Sequence, residues 1–345
     1  MAWNDFLIGK EEDFYEFVEK IKPDDKIGII THTDLDGIAS VVFLEKILES
    51  KSIKVKRIKF LDFKKDMFDE SCNFFKSEGI NKIFFTDMNA DNSDFEGFEK
   101  LRKNFKIFLI DHHPANLNLK WNKNVLKSKS TDCSAWVLYN LAKKYLDVSE
   151  FDELVCATMI SEWSFNDSEN MKFLEEKYPK IGKNIDGSES KKLSDKIGAS
   201  IIYFKDMRKV YSLIKKKSFG EMDEAYEKIE HEIQKSIKKY NNEAKFYPEK
   251  NLHFAYFNSK YNFSSFLMTI ISKQDYNKTY ILSSDRDNRI LKINSRNQSG
   301  NVDLDLLMKK GIEGLKNATA GGHRKAAGAT IMKEDLNKFI ENILK

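Results

Sequence analysis

Three apolar segments in the first third of the chain each end in acidic or histidine side chains. IGII is followed by HTDLD at 32–36, IFF by TDMN at 86–89, and IFLI by DHH at 111–113. Helical patterns such as SVVFLEKILES separate them, and this alternation is typical of a parallel sheet with helices on both faces. Such sheets bind ligands at the carboxyl ends of their strands. The sequence therefore predicts a doubly wound α/β domain with a polar site at one sheet edge.

The residues at these strand ends are of the types that bind metals. If the chain stays extended, Asp34 and Asp36 point to the same side, with no Lys or Arg nearby to balance them. Like charges resist joint ionisation, so we expect divalent cations between them. Oxygen ligands with one or two imidazoles suit Mn²⁺ or a similar metal. The alternative, that each Asp caps a helix, would explain one strand end but not three.

Residues 169–250 differ in character, being rich in Lys, Glu and Asn with long helical patterns such as EMDEAYEKIEHEIQKSIKKYNNEAK. The interspersed glutamates argue against a DNA-binding basic arm. Strand patterns return in LHFAYFN, TYILSSD, NRILKINSRNQ and AAGATIM, with a Gly-rich turn predicted in AGGHRKAAG. We predict three segments: a metal-binding catalytic domain at 1–168, a solvated helical connector at 169–250, and a smaller α/β domain at 251–345.

Composition excludes several classes of protein. The 58 basic and 54 acidic residues leave a net charge of +4, which argues against a protein that holds long duplex by charge alone. No apolar run approaches the roughly 18 residues of a membrane span, and the start has no signal-peptide pattern. The 3 cysteines fit neither a disulfide framework nor a zinc site. We expect a soluble, cytoplasmic protein with buried thiols and no membrane partner.

The motifs resemble those of the DHH phosphoesterase superfamily. His-x-Asp-x-Asp-Gly at 32–37, the isolated Asp87 and the DHH triplet at 111–113 are similar to its first three motifs, in family order. AGGHRKAAGA resembles the Gly-Gly-Gly-His motif of the DHH-associated substrate domain. Members of this superfamily include RecJ-type exonucleases, oligoribonucleases and phosphodiesterases of cyclic dinucleotides.

The resemblance implies a role for each matching residue. Asp34 would bind the first metal, Asp36 and His112 the second, and Asp87 would bridge the two ions. His113 would lie nearer the substrate phosphate. Asp111, which the resemblance also counts as a catalytic residue, would orient the metal-binding side chains from the layer of residues around them. The resemblance also implies two Mn²⁺ ions, for which Mg²⁺ or Co²⁺ could substitute, and a water activated by them as the nucleophile.

Two departures from the family pattern leave ligands open. Other branches place a ligand histidine four residues before the first aspartate, where this chain has Ile30. His32 stands two residues before it, so its role as a ligand is open. The fourth motif usually supplies an Asp at a helix end. In this chain Glu162 takes that position in CATMISEWSFND, and Asp167 is the alternative ligand.

The second domain offers groups that bind phosphate. Gly321 and Gly322 would expose backbone N–H groups to an anion, and His323 would add a donor. Arg296 matches an arginine that family members direct at substrate phosphate; its other interpretation is an ordinary surface residue. In the first domain, the aromatic pair Trp163 and Phe165 favours core packing over stacking on a base.

These features predict a metal-dependent phosphodiesterase acting on short substrates in a cleft between its domains. We expect it to hydrolyse linear dinucleotides or short single-stranded RNA or DNA to mononucleotides. A RecJ-like single-strand exonuclease, a cyclic dinucleotide phosphodiesterase and an inactive nucleotide-binding module are the alternatives. A small substrate such as pyrophosphate, and assembly as a homodimer, are also left open by the sequence.

Overall fold

The structure is a computed structural model that describes residues 5–62 and 66–345. Its chain divides into two units, Met1–Tyr226 and Glu227–Lys345. The division falls inside the segment that the sequence predicts to be a connector, within a helix that spans Asp223–Glu243. In the described part of the chain, no helix combines the length and the apolar character needed to cross a membrane.

The first unit is built on a five-stranded parallel sheet. Its strands are β1 (Ile27–His32), β2 (Val55–Leu61), β3 (Lys82–Thr86), β4 (Lys106–Asp111) and β5 (Val125–Lys127). Their order across the sheet is β2-β1-β3-β4-β5, and every pairing is parallel. In this topology the connections reverse direction between β1 and β3, which opens a crevice at their carboxyl ends. The predicted doubly wound parallel fold is confirmed, and β5 is a strand that the sequence patterns did not reveal.

Helices cover both faces of this sheet. They are α1 (Glu11–Glu19), α2 (Leu35–Ser50), α3 (Met67–Ser77), α4 (Ala90–Ser93), α5 (Phe95–Asn104), α6 (Ser134–Ala142), α7 (Asp152–Ser161), α8 (Ser168–Lys177), α9 (Glu189–Phe204) and α10 (Met207–Lys215). Side chains of β3 alternate between the two cores: Phe84 packs with α1 and α2, whereas Ile83 and Phe85 pack with α3 and α5. The three cysteines are buried free thiols, as expected.

One expectation about the helices needs correction. The helices of residues 169–215 are not solvated on all sides. Leu174, Ile197 and Leu213 join the core that contains α2 and α7, because each helix carries an apolar stripe among its Lys and Glu residues.

The second unit has a six-stranded mixed sheet. Following α11 (Asp223–Glu243), its strands are β6 (Lys245–Tyr247), β7 (Leu252–Tyr256), β8 (Thr279–Asp285), β9 (Ile290–Arg296), β10 (Thr319–His323) and β11 (Ala326–Met332). The order is β10-β11-β9-β8-β7-β6, with only β7 and β8 parallel among these pairs. Its helices are α12 (Ser264–Ser272), α13 (Leu304–Gly311) and α14 (Leu336–Leu344). The expected smaller α/β domain is present.

Candidate metal centre

The turn after β1 holds His32 beside Asp34. Asp34 is the N-cap of α2: its Oδ1 accepts a hydrogen bond from Gly37 N at 2.9 Å. Its Oδ2 lies 2.6 Å from His32 Nδ1. A Cβ at Gly37 would stand 2.4 Å from the carbonyl oxygen of His32, so this tight turn requires glycine. Asp34 therefore serves as a helix cap with one oxygen while the other faces the imidazole.

Asp36 reaches the site by a route that the sequence did not predict. It lies in the first turn of α2 rather than on an extended chain, so strand alternation is the wrong explanation for its position. The side chain is fully buried, and its two oxygens accept hydrogen bonds from Ser134 N (2.8 Å) and Ala135 N (2.7 Å). It thus supplies acceptors for amides in the first turn of α6. Its Oδ2 lies 3.7 Å from His112 Nε2.

Asp87 follows β3 in a strained backbone conformation. Its φ is +52°, a left-handed value that Asp tolerates better than most residues. The carboxylate is 2% exposed, and Oδ1 lies 3.4 Å from His112 Nε2. Burial, followed by the charges of Asp36 and Asp34, raises the pKa of Asp87 well above its ordinary value. A strained, buried carboxyl group with a raised pKa is typical of a functional site.

The DHH triplet brings two imidazoles to the end of β4. The ring centroids of His112 and His113 are 4.6 Å apart. His113 Nδ1 donates a hydrogen bond to Asp111 Oδ1 at 2.8 Å, and Lys127 Nζ donates to Asp111 Oδ2 at 2.5 Å. Burial would raise the pKa of Asp111, but His113 and Lys127 outweigh it and hold that pKa below its ordinary value. Lys127 has no recognisable signal in the sequence, because it ends a strand of only three residues.

Two groups of candidate ligand atoms share Asp87. His32, Asp34 and Asp87 form one group, and Asp87, His112 and His113 form the other. Within each group the ligand atoms lie within 4.8 Å of one another. This arrangement can hold two cations with Asp87 between them. It also makes His32 a candidate metal ligand, a role that the sequence left open. Asp36 is in neither group, although it adjoins His112.

Buried polar atoms at the centre fit a bound cation. Within the described residues, Asp87 Oδ2 and His112 Nδ1 are buried without a hydrogen-bond partner. Buried polar atoms nearly always have a partner, so each such atom requires an explanation. Cations that bind carboxylates and imidazoles would supply one, and would also compensate the repulsion that raises the pKa of Asp87.

The two candidates for the fourth-motif ligand have different environments. Glu162 follows α7, and its pKa is raised well above the ordinary value by burial and by the charges of Asp34 and Asp36. Asp167 instead caps α8 and accepts a hydrogen bond from Lys129 Nζ at 2.7 Å. The geometry therefore associates Glu162 with the cluster. Asp167 caps a helix and pairs with a lysine, and these roles argue against Asp167 as the alternative metal ligand.

Next to Glu162 the chain exposes an aromatic ring. Trp163 has φ of +58° and is 50% exposed. Its ring centroid lies 5.5 Å from that of Phe165, which packs partly buried against the core. The expectation of core packing is therefore wrong for Trp163, because its left-handed backbone conformation leaves half of the residue outside the core.

In the second unit, Arg296 and His323 lie in one row across the sheet. Ala326 on β11 pairs with Arg296 on one side and with His323 on the other. Paired residues of neighbouring strands point to the same face, so the Arg296 and His323 side chains flank a methyl group. Arg296 Nη2 donates to Ser265 Oγ at 3.0 Å. Arg296 is partly buried, and the interpretation as an ordinary surface residue stays an alternative to phosphate binding.

The predicted Gly-rich turn is an edge strand. Gly321, Gly322 and His323 belong to β10, and the turn that follows is formed by Arg324 and Lys325. Gly322 has φ of +152°, and a Cβ there would lie 2.5 Å from the carbonyl oxygen of Ala326. A Cβ at Gly321 would meet open space. Gly322 is thus required by the backbone, and β10 is an edge strand whose only strand partner among the described residues is β11.

Both units match known families, and the whole chain resembles solved structures. Residues 26–161 match the DHH family, N-terminal domain, and residues 251–345 match the DHHA1 domain. No curated protein matches the chain in sequence. A crystal structure of exonuclease RecJ bound to manganese shares 15% identity and a TM-score of 0.72, with 96% of this chain and 92% of that chain covered.

Two further similar structures come from named organisms. RecJ in complex with Mn²⁺ from Thermus thermophilus has 14% identity and a TM-score of 0.71 over 97% of this chain. This chain spans about half, 54%, of that protein. CDC45 from Entamoeba histolytica has 11% identity and a TM-score of 0.60, with 97% and 98% of the two chains covered. At these identities the similarities show the fold.

The family match, together with the grouped carboxylates and imidazoles, defines a metal-dependent phosphoesterase. The chain belongs to the DHH phosphoesterase superfamily and carries a C-terminal DHHA1 domain. The resemblance drawn from the four sequence motifs is thereby confirmed.

Proposed function

We propose that this protein is a Mn²⁺-dependent phosphodiesterase that hydrolyses linear dinucleotides or short oligonucleotides to mononucleotides. The main support is the pair of ligand groups that share Asp87. When bound, two such cations activate a water and stabilise the charge that develops on a phosphoryl group. The free thiols of the chain suit a reducing compartment, so we assign the protein to the cytoplasm.

The donor set supports a choice of metal. His32, Asp34 and Asp87 would hold one cation. Asp87 and His112, with Asp36 and Glu162 beside them, would hold the other. Imidazoles among carboxylates favour Mn²⁺ over Mg²⁺, which prefers oxygen ligands alone. We expect Mg²⁺ and Co²⁺ to act as substitutes.

His113 is proposed to contact the substrate phosphate. Burial lowers its pKa, but the hydrogen bond to Asp111 and the charge of Asp111 outweigh this and raise it above the ordinary value. A raised pKa favours the doubly protonated ring, whose Nε2–H can donate to a phosphate oxygen while Nδ1–H stays on Asp111. Its side chain is 35% exposed, compared with 10% for His112, so a substrate can reach it.

The second unit supports a short substrate. Arg296 and His323 in one row, beside the glycine backbone of β10, form a small group that suits a single phosphate. We propose that this group binds the end of the substrate. A long nucleic-acid strand would require a more extended basic surface. The net charge of +4 provides too few unbalanced basic residues for such a surface.

The similarity to RecJ favours one alternative, a single-strand exonuclease that accepts long substrates. A cyclic dinucleotide phosphodiesterase and an inactive nucleotide-binding module are further alternatives. Purified protein with Mn²⁺ should be assayed on RNA and DNA of 2 to about 24 nucleotides, cyclic dinucleotides and pyrophosphate. We expect the highest kcat/KM on the shortest linear substrates. A preference for long strands with steep loss in salt would favour the exonuclease, and no turnover with any metal would favour the inactive module.

His323→Ala tests the proposed end-binding group. A hydrogen bond to a charged phosphate contributes about 1.5–3 kcal/mol, which corresponds to roughly 10- to 150-fold in an equilibrium. We expect kcat/KM on a dinucleotide to fall at least about tenfold, with metal affinity unchanged and a smaller loss on a 24-mer. His231→Ala, which removes an exposed histidine from α11, is the matched control. Equal losses on short and long substrates would contradict end binding.

A further inference from the structure

A second buried charge cluster lies beside the metal centre, and its central residue is Lys127. The Lys127 side chain has no exposed surface, and neither have those of Asp91 and Asp111. Nζ lies 2.5 Å from Asp111 Oδ2 and, in an ion-pair contact, 2.7 Å from Asp91 Oδ1. A lysine at 0% exposure is rare and requires partners such as these.

The cluster is fixed from several sides. The backbone of Lys127 pairs with the segment before α1: Lys127 N donates to Ile8 O at 2.9 Å, and Leu7 N donates to Lys127 O at 2.7 Å. Asp91, on α4, accepts a hydrogen bond from Asn116 N at 3.1 Å. The ammonium group also donates to the carbonyl oxygens of His113 and Pro114, each at 3.4 Å.

Through Asp111 the cluster reaches His113. Asp111 uses Oδ2 for Lys127 and Oδ1 for His113, so the position of one oxygen determines that of the other. Carboxylates that orient an imidazole typically contribute about 10- to 100-fold to the activity of metal sites. From this geometry we propose that Lys127 is a positioning residue, which fixes the His113 ring through Asp111 for the reaction. The inference rests on the proposed function, in which His113 contacts the phosphate.

A purely structural role for Lys127 predicts different behaviour. In that case its removal would lower activity only in proportion to lost folding, whatever stands at position 113. If Lys127 acts through His113, its removal should matter only while His113 is present. A double-mutant cycle separates the two cases, because the effects of coupled residues are not additive.

The chain offers a matched control in Lys82, the first residue of β3. Its side chain is 7% exposed, and Nζ lies 2.6 Å from Asp25 Oδ2. Lys82 begins a strand of the parallel sheet, whereas Lys127 and the metal centre lie at the carboxyl ends. Lys82→Met therefore also breaks a buried ion pair, but without contact to Asp111 or His113.

The experiment compares kcat and KM of the full chain with Mn²⁺ on a dinucleotide. We expect Lys127→Met to lower kcat about 10- to 100-fold with little change in KM, and to add less than about twofold in a His113→Gln background. Lys82→Met should keep kcat. If Lys127→Met fails to fold, Asp91→Asn/Lys127→Met removes one charge of each sign and serves instead. Equal losses with and without His113 would overturn the proposal.

An NMR readout does not depend on activity. In the metal-free protein, the hydrogen-bonded His113 Nδ1–H should give a downfield proton signal, which is assigned by its loss in His113→Gln. We expect this signal to disappear in Lys127→Met and to persist in Lys82→Met. A protein without phosphodiesterase activity but with this pattern would refute the proposed function and leave the positioning role supported. Persistence of the signal in Lys127→Met would overturn the positioning role.

Discussion

The two ends of the parallel sheet in the first unit treat buried charge in opposite ways. At the amino end, Lys82 pairs with Asp25, and Asn81 Nδ2 donates to the same carboxylate at 2.8 Å. At the carboxyl end, Asp36 and Asp87 lie together with no lysine or arginine ion pair among those of the described residues. At the amino end the buried carboxylate is paired. At the carboxyl end Lys127 pairs with Asp111 and Asp91, but Asp36 and Asp87 beside them carry unpaired negative charge.

The pKa shifts of two aspartates express this difference. Burial would raise the pKa of Asp25, but hydrogen bonds from Lys22 N and Lys82 outweigh it and lower that pKa. Asp87 has like charges as neighbours instead, and its pKa is raised. Buried charge is costly unless it is paired, so carboxylates that the chain leaves unpaired are prepared for a cation. The contrast therefore distinguishes structural charge from functional charge on one sheet.

The largest effect should come from Asp87→Asn, which keeps a residue suited to the left-handed backbone but removes the shared charge. We expect Mn²⁺-dependent turnover to fall by more than the roughly 100-fold that changes behind a ligand typically cost. Metal-free protein should become more stable, because repulsion among the carboxylates is relieved. Rates with Mn²⁺ and thermal unfolding in a chelator measure the two effects.

Asp25→Asn is the control from the opposite end. It leaves Lys82 without its charged partner, so we expect it to lower the melting temperature while activity with Mn²⁺ is kept. If both variants were destabilised in the chelator, the two ends would not differ in the way described.

Glu162→Gln and Asp167→Asn test which acidic residue belongs to the charged end. Glu162 has a pKa raised by burial and by Asp34 and Asp36, whereas Asp167 is paired with Lys129. We expect Glu162→Gln to weaken Mn²⁺ binding about 10- to 100-fold and Asp167→Asn to leave it nearly unchanged. Isothermal titration calorimetry with Mn²⁺ gives both values. A larger loss from Asp167→Asn would reverse the assignment.

The pH dependence of stability should differ with and without metal. Asp36, Asp87 and Glu162 have raised pKa values, so the folded protein binds more protons than the unfolded chain above about pH 4. The free energy of unfolding of metal-free protein should therefore fall as pH rises through the folded pKa values. Mn²⁺ displaces those protons, and its affinity should rise about tenfold per pH unit for each proton released. Unfolding curves at several pH values would contradict this if stability without metal rose across that range.

The smallest effect concerns the exposed ring beside the charged end. If Trp163 stacks on a base of the substrate, Trp163→Ala should raise KM on a dinucleotide roughly five- to tenfold, near the lower end of values for base stacking. Trp163→Phe should retain most of the affinity, and pyrophosphate hydrolysis should not change. Trp121→Ala, which removes a ring that is 89% exposed, is the matched control. An equal effect on substrates with and without a base would exclude stacking.

Much of the fold was predictable because its signals are local. Strands β1, β3 and β4 are runs of apolar residues bounded by polar ones, and their spacing predicts the parallel sheet. Strand β5 was not predicted because it has three residues and ends in a lysine. Strand β10 was mistaken for a turn because its glycines are typical of turns, whereas here one of them meets the close approach of β11.

The sequence by itself determined the fold class and the chemical types gathered at the strand ends, because parallel strands bring their carboxyl ends to one edge. Only the tertiary structure decided how each side chain is used. In it, Asp36 lies in a helix and accepts hydrogen bonds from α6, Asp167 caps α8, and Lys127 is buried against Asp111. These outcomes depend on contacts between residues distant in sequence and on the competition of each carboxylate for amides, lysines and imidazoles. A linear pattern records neither.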